Sequence, residues 1–276
     1  MKALSMSGGG TKIAGLLGAV EALNEQFDIV AGVSAGAIMV PIVGCNKIQE
    51  AKKVILNLKL SDIFSEKPVN KNGAITVNAI LNVAKGKTYL GKMDNLLVTL
   101  SDMITELDWH WSAKPIMLVQ SVDMEDGHRW IENIKNVSRP EAFRAIKASA
   151  SIPVFVDGVN SYFDGGLRNH NPSRAIIERY GSELTELVSI YTRPENLSEA
   201  IDQEYEPSNV LDVLKRSIEI MSIEISKRDA EYEKEKAKEL GFKLRQIFLP
   251  IHSNGFYDIS EMKTMYEDSY NFIPQL

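Results

Sequence analysis

A side-chain nucleophile needs three things: an accessible hydroxyl or thiol, a base to take its proton, and donors for the charge its attack creates. Three short stretches of this chain offer them in turn. Gly32-Val33-Ser34-Ala35-Gly36 has the G-x-S-x-G pattern of a nucleophile elbow, set between a short apolar run and a helical one. Such a turn strains the serine backbone, and a side chain at either flanking position would collide with the strand or the helix. Glycine at 32 and 36 meets that demand. Ser34 would then stand at a helix N-terminus, where unpaired N–H groups and the helix dipole favour developing negative charge. The pentapeptide alone arises by chance in roughly one chain in ten of this length, so its companions have to decide.

Gly8-Gly9-Gly10-Thr11-Lys12 follows a strand-like run at residues 2–7. It precedes Ile13, Leu16, Leu17, Val20 and Leu23, which fall at helical spacing. A glycine run between strand and helix presents bare amides to an anion, either a phosphate or an oxyanion. G-x-x-x-x-G-K-[ST] is absent and G-x-G-x-x-G does not fit, so nucleotide phosphate is the weaker choice. The third stretch, Asp164-Gly165-Gly166, ends an apolar run and exposes a carboxylate. Taken alone it reads as an ordinary turn.

Histidine is the rival base. His110, His128, His170 and His252 are the only four. His170 or His252 could complete a Ser-His-Asp triad. His110, between Trp109 and Trp111, reads as packed. No His, Asp and Glu grouping has metal-ligand spacing, and one cysteine, Cys45, excludes an internal disulfide or a cysteine-based zinc site. No metal, calcium included, and no cofactor are expected.

In their order and setting the three stretches resemble the patatin-like phospholipases, whose motifs run GGG-x-R/K-G, G-x-S-x-G and DGG/A. Ala148-Ser149-Ala150-Ser151-Ile152-Pro153 before the last motif and Asn171-Pro172 after it add to the likeness, which spans about residues 1–195. Lys12 stands where arginine is commoner, and Ile13 where the family usually has glycine. The resemblance implies a three-layer α/β/α fold with a mostly parallel central sheet. It implies acyl-ester hydrolysis of phospholipids or lysophospholipids through an acyl-serine, with Ser34 as nucleophile and Asp164 as base in a dyad. The amides of Gly8, Gly9 and Gly10 would form the oxyanion hole, with Lys12 anchoring the loop or lying close to the anion. Gly32 and Gly36 would shape the elbow. Several bacterial members of the family need a protein activator. The alternatives are a His-assisted serine esterase on soluble esters, and a non-catalytic binding module that keeps the fold.

The elements that must position these residues follow from pattern. Strands are expected at residues 29–33, 114–122, 129–131, 187–192 and 242–249, and one ending at Asp164. Helices are expected at 48–58, 77–85, 93–107, 139–150, 173–180, 209–240 and 259–272. Strands alternating with helices argue for a parallel sheet covered on both faces, with reactive loops at the carboxyl ends of strands. The chain has 276 residues, 44% hydrophobic and 25% charged, which fits one domain with a sizeable core. Within it we expect a helical, lysine-rich cap at about 45–110 and a helical C-terminal region at about 196–276.

Net charge is −6, against general nucleic-acid binding. Yet residues 45–94 hold nine lysines and four acids, a net of +5 that leaves −11 for the rest. That segment is expected to meet anionic lipid, with Ile63, Phe64 and Leu90 as insertion points. The first residues lack the apolar stretch of a signal peptide. Residues 29–46 carry no charge but are interrupted by three glycines, a serine and Pro41, as a strand and helix would be. The expected location is the cytoplasm, peripheral at membranes.

Overall fold

Strands β1 (Lys2–Met6) and β2 (Ile29–Val33) are buried almost throughout, as strands covered on both faces must be. In the computed structural model, which describes residues 1–70, 74–111, 115–196, 206, 210–251 and 259–275, they lie at the centre of one sheet. The other strands are β3 (Tyr89–Gly91), β4 (Ile116–Asp123), β5 (Arg129–Asn133), β6 (Val154–Val156), β7 (Tyr162–Asp164), β8 (Glu186–Tyr191) and β9 (Lys243–Phe248). The central sheet runs β5-β4-β2-β1-β8-β9. Its β4-β2, β2-β1, β1-β8 and β8-β9 pairings are parallel. Burial falls off at β5 and β9, the two edges.

Alternate side chains divide this sheet into two faces. Leu4, Met6 and Val30 join a large core with residues of α1 (Ile13–Leu23), α2 (Ala35–Gly44), α8 (Arg139–Ala150) and the closing helix Met262–Phe272. Ala3, Ile29 and Ala31 join a second core with Ile176 and Ile177 of α9 (Ser173–Tyr180) and with Tyr232 and Ala237 of the long helix Val210–Leu240. The fold is therefore three-layered, α/β/α.

One feature of the sheet positions the site. β5 occupies one edge of β4, against Leu118 to Val122, and β2 occupies the other, ending with Val33 opposite Gln120. β7 is antiparallel to β4 and ends with Asp164 opposite Ser121. It therefore shares β2's edge, and the two strands meet tip to tip, so the residue after Val33 faces Asp164.

Residues 45–110 carry α3 (Ile48–Ile55), α4 (Leu60–Ile63), α5 (Val77–Ala84), β3, α6 (Asn95–Met103) and α7 (Glu106–Trp111). β3 pairs with β6 in a separate parallel ribbon. Three expectations change here. The helix expected at 93–107 is interrupted at Ile104, which is extended (φ −126°). There Thr105 and Asp108 cap each other, Asp108 accepting the Thr105 amide at 2.9 Å and Thr105 the Asp108 amide at 3.2 Å, which starts a new helix. His110 is exposed beside Glu106, while its neighbour Trp109 is buried. Phe64 and Leu90 are core residues and cannot serve as insertion points. His252, Asn209 and Lys114 lie outside the described residues.

Candidate active site

The elbow is built by contact. A Cβ on Gly32 would stand 2.1 Å from the Gly36 carbonyl oxygen, and one on Gly36 would stand 2.2 Å from that of Met6. Only glycine allows the turn to close. Ser34 between them has φ 54° and ψ −120°, a strained conformation for a residue with a side chain, and it caps α2. Its amide donates to Ser149 Oγ at 3.0 Å, and that hydroxyl donates to the Gln120 carbonyl. The strained turn is thus tied to β4.

Asp164 reaches the same place from β7. Its carboxylate lies close to the Ser34 side chain, with which it shares a cavity, and accepts the Gly166 amide at 2.8 Å. Burial raises its pKa to about 6, and the Gly166 amide and the nearby Ser34 hydroxyl oppose the rise. The Asp164 amide donates to the Ser151 carbonyl at 3.0 Å. The small-residue run at 148–151 therefore brackets the pair, Ser149 holding the nucleophile candidate and Ser151 the base candidate. Gln120 adds a third tie, its side-chain amide donating to the carbonyls of Gly165 at 3.0 Å and Asn169 at 3.2 Å.

The glycine loop narrows the expected oxyanion hole. The Gly8 amide donates to the His170 carbonyl at 3.0 Å, and the Gly8 carbonyl accepts from Thr192 Oγ1. Gly8 is committed at both ends, so the three amides expected to face an anion reduce to those of Gly9 and Gly10. Lys12 leads into α1 and forms no ion pair among the described residues. Burial pushes its ammonium down to about 8, with Glu219 acting the other way.

Two cavities meet at Ser34, Gly10 and Ile152. The larger, about 760 Å³ counting its mouth, is almost wholly apolar and runs between α2, α3 and α6 past Ile38, Leu58 and Met103. Ile13, at the position where glycine was expected, lines it. The smaller, about 420 Å³, holds Asp164, His170, Ile218 and Ser222. His170 shares this cavity, but burial and the nearby charges of Lys12 and Arg193 hold its pKa down at about 3. Its Nδ1 has no hydrogen-bond partner among the described residues, and its Nε2 faces Gly8. His128 is on the surface, in the turn before β5. Among the described residues no group of three or more His, Cys, Asp or Glu has an arrangement that would hold a metal ion.

Sequence reasoning missed the supports behind the loops. The second half of the long helix, residues 227–238, is mostly charged in sequence, yet it turns Asp229 and Glu233 inward. Asp229 accepts from Asn169 Nδ2 at 2.7 Å and from the Asn171 amide at 3.0 Å, holding the segment around His170. Glu233 accepts from Ser189 at 2.9 Å, Tyr191 at 2.8 Å and Gln246 at 2.8 Å. Their spacing of four, with Ser226 and Ala230 on the same face, is the signal that would have found them.

No helix among the described residues is long and apolar enough to cross a membrane. A search of curated proteins finds no match. Among solved structures, VipD from Legionella pneumophila is similar over 99% of this chain and 67% of that one, with 14% identity and a TM-score of 0.44. The family model described as Patatin-like phospholipase matches residues 4–177, well over half of the chain. The chain belongs to the patatin-like phospholipase family.

Proposed function

We propose that this protein is a lipid acyl hydrolase that cleaves phospholipid or lysophospholipid esters with Ser34 and Asp164. The observation that carries this reading is that Ser34 and the buried carboxylate of Asp164 line one cavity, which meets a larger apolar one at Ser34. An Asp of ordinary pKa is a weak base. Burial raises Asp164 to about 6, so at neutral pH it is ionised yet basic enough to take a hydroxyl proton. Ser34 Oγ then attacks the ester carbonyl carbon, and the amides of Gly9 and Gly10 hold the oxyanion. Collapse expels the alcohol, which takes the proton from Asp164 and leaves an acyl-serine. Water, deprotonated by Asp164, releases the fatty acid and restores Ser34. The acyl chain lies in the apolar cavity, whose size suits a lipid tail. The alcohol leaves through the smaller cavity.

The test is mass analysis of mixed-lipid vesicles incubated with the wild type and with Ser34→Ala. Free fatty acid and the matching deacylated lipid should appear only with the wild type. The same assay with added cell extract separates a need for an activator from inactivity. His170→Ala should keep most of the turnover. Loss of activity in a folded His170→Ala protein supports the His-assisted esterase instead. Absence of turnover on lipids, soluble esters and activated samples alike leaves the binding module.

A further inference from the structure

A short helix on a folded core turns its branched apolar residues inward. α5 does the reverse. Its buried residue is the small Ala79, and Asn82 beside it donates to Glu66 at 2.9 Å and to the Leu90 carbonyl at 3.2 Å. Val77, Ile80 and Leu81, which share the opposite face, are 72%, 57% and 46% exposed. The helix is well anchored, since Thr76 accepts the Ala79 amide at its N-terminus. Its outward apolar face therefore belongs to the ordered fold.

The chain then leads from this face to the reaction centre. Lys85 and Lys87 follow the helix, are exposed, and form no ion pair among the described residues. Tyr89 next pairs with Val154. Val154 is 46% exposed and held at φ 73°, which costs a β-branched residue strain. The two residues before it, Ile152 and Pro153, line the cavities at Ser34. The apolar face and the cavity wall are joined through one strand pair.

Charge selects the occupant. Residues 74–91 contain two lysines and no acid, in a chain whose net charge is −6. An exposed apolar patch bordered by unpaired lysines, in a protein otherwise negative, fits apolar chains under anionic headgroups. We propose that the outward face of α5, together with the exposed Val154 of the adjoining β3–β6 ribbon, inserts into an anionic lipid surface, with Lys85 and Lys87 at the headgroups. This replaces the buried Phe64 and Leu90 as the inserting residues. It rests on the acyl-hydrolase reading only for the purpose of docking.

The test measures binding apart from turnover. Ser34→Ala protein is sedimented with phosphatidylcholine vesicles, with and without phosphatidylserine, at low and high salt. Binding should favour the anionic vesicles, and salt should reduce the preference. Ile80→Asp with Leu81→Asp should weaken binding by more than about tenfold. The same pair in the Ser34 protein should keep its rate on a soluble short-chain ester within about twofold, and circular dichroism should show the wild-type spectrum. Lys85→Glu with Lys87→Glu should remove only the anionic preference. Undiminished vesicle binding by the aspartate pair overturns the proposal. So does absence of vesicle binding by the parent together with self-association that the pair abolishes, since a second copy would then cover the face. Vesicle binding without lipid hydrolysis by the Ser34 protein would leave this docking intact and remove the catalytic reading.

Discussion

Two regions of the molecule bury carboxylates, and they use them oppositely. At the tips of β2 and β7, Asp164 is raised to about 6 by burial. Behind them, on the long helix, burial raises Asp229 to about 7 and Glu233 above its ordinary value. By perturbation alone all three are catalytic candidates. Their partners separate them. Glu233 accepts from three side chains, and Asp229 from Asn169 and the Asn171 amide. Asp164 accepts one amide and lies close to the Ser34 hydroxyl, and of the three it alone lines the cavities that meet at Ser34. A perturbed carboxylate tied to donors of neighbouring strands and loops, away from those cavities, is structure. One that keeps a proton-donating partner next to open space is equipped for chemistry.

The sharpest way to break that contrast is to remove each charge. Ser34→Ala and Asp164→Asn should each lower turnover by about a thousandfold or more while the protein stays folded. Asp164→Asn should also raise stability at pH 8. A carboxyl raised from 3.8 to about 6 favours the folded state fully only below its unfolded pKa, and that contribution is lost as pH rises through about 6. Removing the charge recovers up to about 3 kcal/mol at pH 8 and nothing near pH 3. Thermal melts at the two pH values read the difference, and a variant destabilised at both would contradict it.

Next in size is Gly9→Val. Its Cβ would stand 2.5 Å from Thr192 Oγ1, displacing the loop that lines the cavity with Ser34. A loss of about 10² to 10³ in turnover is expected, with slower fluorophosphonate labelling of Ser34. Wild-type labelling would place the oxyanion donors elsewhere.

Glu233→Ala should show the opposite profile to Asp164→Asn. It strands the Ser189 and Tyr191 hydroxyls and the Gln246 amide, so denaturant melts should show a loss of about 3 kcal/mol. The rate per folded molecule should stay within about threefold. The smallest effect belongs to Asp229→Asn. The pH profile of kcat/KM should rise through pH about 6 and stay level above it, with the same midpoint in this variant. A midpoint that moves by a full unit would make Asp229 part of the titrating unit.

These contrasts also mark what could be read without coordinates. Ser34, the glycine loop and Asp164 stood out because strong backbone demands select glycine at fixed positions, and such demands are local. The N-terminus of α8 was legible for the same reason, since Ser138 and Glu141 cap each other within one turn. The commitment of the Gly8 amide was hidden because its acceptor, His170, is remote in the chain. Asp229 and Glu233 were hidden by their charge, which reads as solvated until a remote set of donors is brought to them. The ribbon of β3 and β6 was missed because three-residue strands leave almost no periodicity to detect.

The meeting of β2 and β7 along one edge of β4 has a consequence for how such a chain can change over generations. The spacing between the proposed nucleophile and base is set by adjacent rungs of β4, Gln120 and Ser121, and not by the chain that runs between them. Segments joining those strands can lengthen, shorten or be exchanged, altering what approaches the serine, while its distance to the aspartate is inherited from the pleat. A one-residue slip of β7, by contrast, would turn Asp164 to the other face of the sheet and abolish the pair at a stroke. Variation in substrate is thus open to gradual change, whereas the reaction itself is guarded by the register of one strand.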